Sequence, residues 1–112
     1  MPYDDPFAEE KQNMIATLTQ ALPFLRKEIG ISQTELANKV GLSRQTISLI
    51  ERQRQPMTWT LFLATVFFFK SNNDFDQGNK RIAKKYPNIV EQMMFVERHM
   101  RENKHYYGGT KK

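Results

Sequence analysis

With 112 residues, 39% hydrophobic and no cysteine, the chain is sized for one small domain with appendages, and it can form neither a disulfide framework nor a thiolate metal site. The net charge of +5 is unevenly placed: one Lys against four acids in residues 1–12, seven bases against five acids in 13–78, and nine bases against three acids in 79–112. That balance suits a polyanionic partner, although ordinary solubilising Lys and Arg explain it equally well.

The N-terminus MPYDDPFAEE is acidic and polar, the opposite of a signal peptide. Residues 1–12 are expected to form a flexible acidic arm. Helical spacing then prevails and strand alternation is absent, so the fold class is all-α. Met14, Ile15, Leu18, Leu22, Leu25 and Ile29 mark one helix face running to Gly30. Pro23 lies within it and removes one amide hydrogen bond, so a kink or a restart is expected there. Ser32-Gln33-Thr34-Glu35 reads as a capping box, opening a helix that runs through Val40 and stops at Gly41. Ser43 caps the next helix, at about 43–53, which ends before Pro56. Thr58 caps a fourth, from Trp59 through Phe69, and Phe67, Phe68 and Phe69 are expected in the core. Its apolar stretch, Leu61 to Phe69 with Thr65 inside, covers nine residues. A bilayer span needs roughly 20, so a core helix is expected, no membrane association, and a cytoplasmic location. Ile82, Ala83 and Tyr86 mark a short helix, and Pro87 or Asn88 starts a last one. The tail GGTKK is expected to be unstructured.

The helices at 32–40 and 43–53 are joined by only two or three residues around Gly41. So short a joint forbids an antiparallel return, and the two helices must cross steeply. Such a crossing needs a small residue where the backbones approach, and Ala37 is in place. Four positions later it needs a residue tolerant of positive φ, and Gly41 is there. Leu36, Val40, Ile47 and Ile50 supply the inward apolar contacts. These features together read as a helix-turn-helix.

The stretch LPFLRKEIGISQTELANKVGLSRQTISLIERQRQPMTWTLFLATVFFFK, residues 22–70, resembles the phage repressor and Cro type of helix-turn-helix regulator, the XRE family. The resemblance implies a compact four- to five-helix bundle of lambda-repressor-like DNA-binding type, here with a C-terminal helical extension. It implies a homodimeric transcriptional regulator of double-stranded DNA, most often a repressor, with the second helix of the motif in the major groove. The base-reading candidates are then Arg44, Gln45, Ser48 and Leu49. Arg offers a fork to guanine, Gln a donor–acceptor pair to adenine, and an aliphatic side chain can touch a thymine methyl. An Arg at the positive end of a helix sits poorly unless it has a ligand. Gln33, Thr46, Arg52, Gln53 and Arg54 are the DNA-backbone candidates, setting affinity and register more than sequence. Gln33 matches a family Gln that also buttresses the first reader. Arg26 and Glu51 match a family salt bridge between the first and third helices. Family members commonly carry Asn-Gly after that Glu, whereas Arg52-Gln53-Arg54 stands here.

By this division, residues 13–78 form the DNA-binding domain and 79–112 a basic helical extension with a flexible tail. Ile89, Met93, Val96 and Met100 make its last helix amphipathic. Two readings stay open: it packs on its own domain, or it pairs with another chain as a dimer contact. Lys80, Arg81, Lys84 and Lys85 are a solvated face or touch flanking phosphates. His99 and His105 have no companion at ligand spacing, so no metal is expected, nor any cofactor. The sequence shows no phosphate loop and no nucleophile–base arrangement, so no enzyme is expected. The competing function is an antitoxin-like or adaptor module whose C-terminal helix holds a protein partner.

Overall fold

The computed structural model describes residues 5–72 and 80–102. Met100 and His99 fall within the last helix, but their side chains lie outside the description, as do His105 and the GGTKK tail. The described residues form helices α1 (Ala8–Ile29), α2 (Gln33–Val40), α3 (Arg44–Glu51), α4 (Trp59–Ser71), α5 (80–85) and α6 (Pro87–Glu102). No strand occurs among them, and no helix is long and apolar enough to cross a membrane.

Local chemistry sets most of the ends. Ser32 Oγ accepts from the Glu35 amide while the Glu35 carboxylate accepts from the Ser32 amide, a complete capping box. Ser43 Oγ accepts from the Thr46 amide and Thr58 Oγ1 from the Leu61 amide. α2 stops where Gly41 takes φ 80°, a left-handed conformation costing an L side chain about 1–2 kcal/mol. Helix α1 continues through Pro23 without a break. It also begins earlier than its apolar stripe indicates, at Ala8. Asp5 explains the early start: its carboxylate accepts from the Phe7 amide, its carbonyl accepts from the Ala8 amide, and Lys11 Nζ lies 2.7 Å from its Oδ2. The hydrogen bond from Lys11, and then that from the Phe7 amide, hold the Asp5 carboxyl below its ordinary range. An acid with a depressed pKa stabilises the fold at neutral pH and loses that contribution as acid protonates it. The same Lys11 ammonium lies over the Trp59 ring, 5.1 Å from its centroid, linking the start of α1 to the start of α4.

The core is continuous from Met14 on α1 to Val96 on α6. Leu18, Leu22, Leu25, Leu36, Ile47, Ile50, Phe62 and Phe69 are almost wholly enclosed. The Phe67-Phe68-Phe69 run divides: Phe69 is enclosed, Phe68 partly buried, and Phe67 is 70% exposed. Three consecutive helical residues fan over roughly 200° at 3.6 residues per turn, wider than the face α4 turns inward.

The last helix bears on the reading of its apolar stripe as a dimer contact. Ile89, Met93 and Val96 are 0%, 1% and 3% exposed within the single chain, because α6 packs against α1 and α4. Those three side chains therefore complete the chain's own core and are not free for a second copy. The C-terminal extension is part of the bundle. Replacing Met93 by Ala should accordingly lower stability by about 2–4 kcal/mol, measured by urea unfolding. An unchanged midpoint would show that α6 is not integral to the fold.

Candidate nucleic-acid interface

Helix α3 has only eight residues, too short to persist alone in water, so its aim depends on its attachments. Ile47 and Ile50 anchor it on the core side, each 1% exposed. On the other side Arg44 and Gln45 are exposed, while Ser48 and Leu49 are half-buried at the edge.

The strongest attachment is ionic. Arg26 Nε donates to Glu51 Oε2 at 2.6 Å and its Nη2 to Glu51 Oε1 at 2.9 Å, a two-pronged pair joining α1 to the end of α3. The side chains are 16% and 6% exposed, so the pair is well shielded from water. Arg26 also donates to the Ile31 carbonyl at 3.1 Å, which pins the turn before α2. Gln33 extends the network: its Nε2 donates to Glu51 Oε1 at 2.9 Å, and its Oε1 accepts from Arg44 Nη1 at 3.3 Å. The amide is oriented by chemistry, since the carboxylate takes only a donor and the guanidinium meets only an acceptor. A chain of polar contacts thus runs from Arg26 through Glu51 and Gln33 to Arg44. Much of the Gln33 side chain is consumed in this task, leaving one N–H and the free amides at the start of α2 to face an anion.

The loop after α3 departs from the sequence reading. The helix ends at Glu51, two residues before the expected boundary, in a Schellman closure: the Arg54 amide donates to the Leu49 carbonyl at 2.8 Å and the Gln53 amide to the Ile50 carbonyl at 2.9 Å. The left-handed position falls on Gln53, at φ 59°, where glycine is usual. Arg52, Gln53, Arg54 and Gln55 are all exposed. Arg52 Nε turns back toward the Ser48 carbonyl at 3.4 Å, and the Thr46 hydroxyl lies 3.0 Å from that of Ser43. Gln33 thus touches Arg44, Gln45 is exposed beside it, and the exposed loop Arg52–Gln55 follows from the other end of α3.

Residues 24–61 match the family profile described as helix-turn-helix. This segment is a helix-turn-helix domain of the XRE family. No curated protein and no solved structure matches the chain. Within the helix-turn-helix domain, α2 and α3 are the two motif helices and Gly41 is the turn. Residues passed over in the sequence are Gln12 and Gln20, which border a groove opposite Gln53, Arg54 and Gln55. Their eight-residue spacing with Ala16 between is the one signal that α1 carries a polar strip there.

Two outcomes follow for stability. Glu51→Ala leaves the shielded Arg26 without its counterion and should cost about 3 kcal/mol; an Arg26→Ala, Glu51→Ala cycle in urea should show coupling, and additive losses would deny the pair its role. Gln53→Gly relieves the left-handed strain and should raise stability by about 1 kcal/mol, seen as a higher melting temperature; a lower one would contradict the strain.

Proposed function

We propose that the protein is a transcriptional regulator that binds double-stranded DNA in a sequence-dependent way, with α3 in the major groove. One observation carries the reading: α3 turns Ile47 and Ile50 into the core and presents Arg44 and Gln45 to solvent, with Arg44 steadied by Gln33. Arg44 and Gln45 are the base readers, each good bidentate pair contributing roughly 1–3 kcal/mol of discrimination. Ser48 and Leu49, at the edge of the same face, take the smaller contacts. Gln33, Thr46, Arg52, Gln53 and Arg54 hold the sugar-phosphate chain and set the register.

Repression by covering a promoter is the simplest outcome of such binding. A homodimer would place two reading helices roughly 34 Å apart, one helical turn of duplex. Because Ile89, Met93 and Val96 are enclosed, a dimer must use another surface; among the described residues, Phe67, Met94 and Phe95 are the large apolar side chains exposed on α4 and α6. The same enclosure weakens the adaptor reading, which requires the C-terminal stripe to be available to a partner.

Selection of bound sites from random duplexes should return a defined motif for the wild-type chain. Arg44→Ala, Gln45→Ala should lose the preference at the positions those side chains read while retaining salt-dependent binding. An unaltered motif in that variant would refute the assignment.

A further inference from the structure

We propose that Lys11 is a positioning residue for DNA binding. Held between Asp5 and Trp59, it fixes the exit of the loop 52–57 and thereby the placement of Arg52, Gln53 and Arg54. The role rests on the proposed function and extends it to residues outside the helix-turn-helix match at 24–61.

Lys11 continues the apolar stripe of α1. It precedes Met14, Ile15 and Leu18 by three, four and seven positions, the spacing of one helix face, and those three side chains are buried. A lysine on that face can lay its stem along the core, but its ammonium needs compensation. Two partners supply it. Lys11 Nζ donates to Asp5 Oδ2 at 2.7 Å, with the two side chains 30% and 23% exposed. The same ammonium lies over the Trp59 ring. Asp5 is itself fixed, because its Oδ1 accepts from the Phe7 amide at 2.8 Å.

Trp59 carries the contact to the loop. Its ring stacks on that of Phe62, with centroids 4.9 Å apart and planes at 12°, and Phe62 is wholly enclosed. Trp59 opens α4 directly after the Thr58 cap, and Met57, just before that cap, is 4% exposed. The loop is therefore suspended between two anchors: the Schellman closure onto Leu49 and Ile50, and the group Met57, Thr58 and Trp59. Stacking on Phe62 ties the indole only to its own helix. The Lys11 ammonium ties it to α1, and Arg26 of α1 holds the other end of the loop through Glu51. One helix thus braces both ends of the segment that presents Arg52 and Arg54.

Asp5→Asn separates positioning from plain electrostatics. Asparagine can still accept from the Phe7 amide, but the carboxylate that holds Lys11 is gone. The variant removes a negative charge, so long-range attraction alone predicts equal or tighter DNA binding. Loss of positioning predicts the reverse. Affinity for a duplex carrying the selected site, read by fluorescence anisotropy at fixed ionic strength, should weaken roughly threefold, the scale of one exposed ion pair and one cation–π contact. The selected motif should stay the same, since Ile47, Ile50 and Glu51 still hold α3. Lys11→Met should weaken binding at least as much, and Lys11→Arg, which can make both contacts, should bind like the wild type. Trp59 is the one tryptophan of the chain, so its emission reads the clamp without DNA. Asp5→Asn and Lys11→Met should each shift that emission and raise its quenching by acrylamide, and Lys11→Arg should do neither.

Wild-type or tighter DNA binding by Asp5→Asn would overturn the proposal. So would an unchanged Trp59 signal in both clamp variants, or an altered motif, which would move the effect to α3. Should Lys11→Met fail to fold, Asp5→Asn and Lys11→Arg decide the outcome between them. If the wild-type chain selects no site, the proposed function falls and the positioning role with it, a result distinct from failure of the clamp variants alone.

Discussion

The orientation of α3 depends on a single carboxylate. Glu51 sits at the C-terminal end of α3 and receives Arg26 from α1 and Gln33 from α2, so three helices meet at one side chain. The ion pair is not an obvious source of stability, because removing two charges from water offsets much of their attraction. Its geometric effect is less ambiguous. Two parallel hydrogen bonds from a planar guanidinium restrict both distance and rotation, which apolar contacts at Ile47 and Ile50 alone do not. An eight-residue helix that could otherwise roll on its core face is held at a fixed angle.

The charges of α3 run against its own dipole. Arg44 stands at the positive N-terminal end and Glu51 at the negative C-terminal end, each placement unfavourable by about 0.3–1 kcal/mol at an exposed site. Seven residues apart, the two lie nearly on one helix face, and Gln33 from α2 spans between them. One amide therefore moderates both misplaced charges. It relays the carboxylate's hold on α3 to the guanidinium that projects from its other end. The arrangement is intelligible if Arg44 serves an anionic surface outside the chain, since a helix selected only for stability would exchange the two signs.

Interactions confined to a few residues were legible in the sequence. Ser32, Ser43 and Thr58 cap their helices through bonds spanning three positions, and Gly41 meets a local backbone need. The Arg26–Glu51 pair spans 25 positions and was reachable only through resemblance. What an apolar stripe packs against was not legible: Ile89, Met93 and Val96 announce burial, but their period does not distinguish α1 and α4 of the same chain from a second copy. The early start of α1 was hidden for another reason, because Asp5 and Lys11 form a contact outside the regular helical spacing. Phe67 was misplaced by counting apolar residues without turning the helix.

Gln53 shows how the candidate interface and the fold constrain each other. The reversal after α3 needs a left-handed residue directly beyond Arg52, since the Schellman bonds to Ile50 and Leu49 cannot close otherwise. Glycine would meet that need with the least strain, but it would leave the loop without a side chain between Arg52 and Arg54. With Gln53 in place the loop offers a continuous run of donors, from Arg52 to Gln55, beside the amides of Gln12 and Gln20. The Schellman closure that ends α3 therefore also fixes the exposed polar run that follows it.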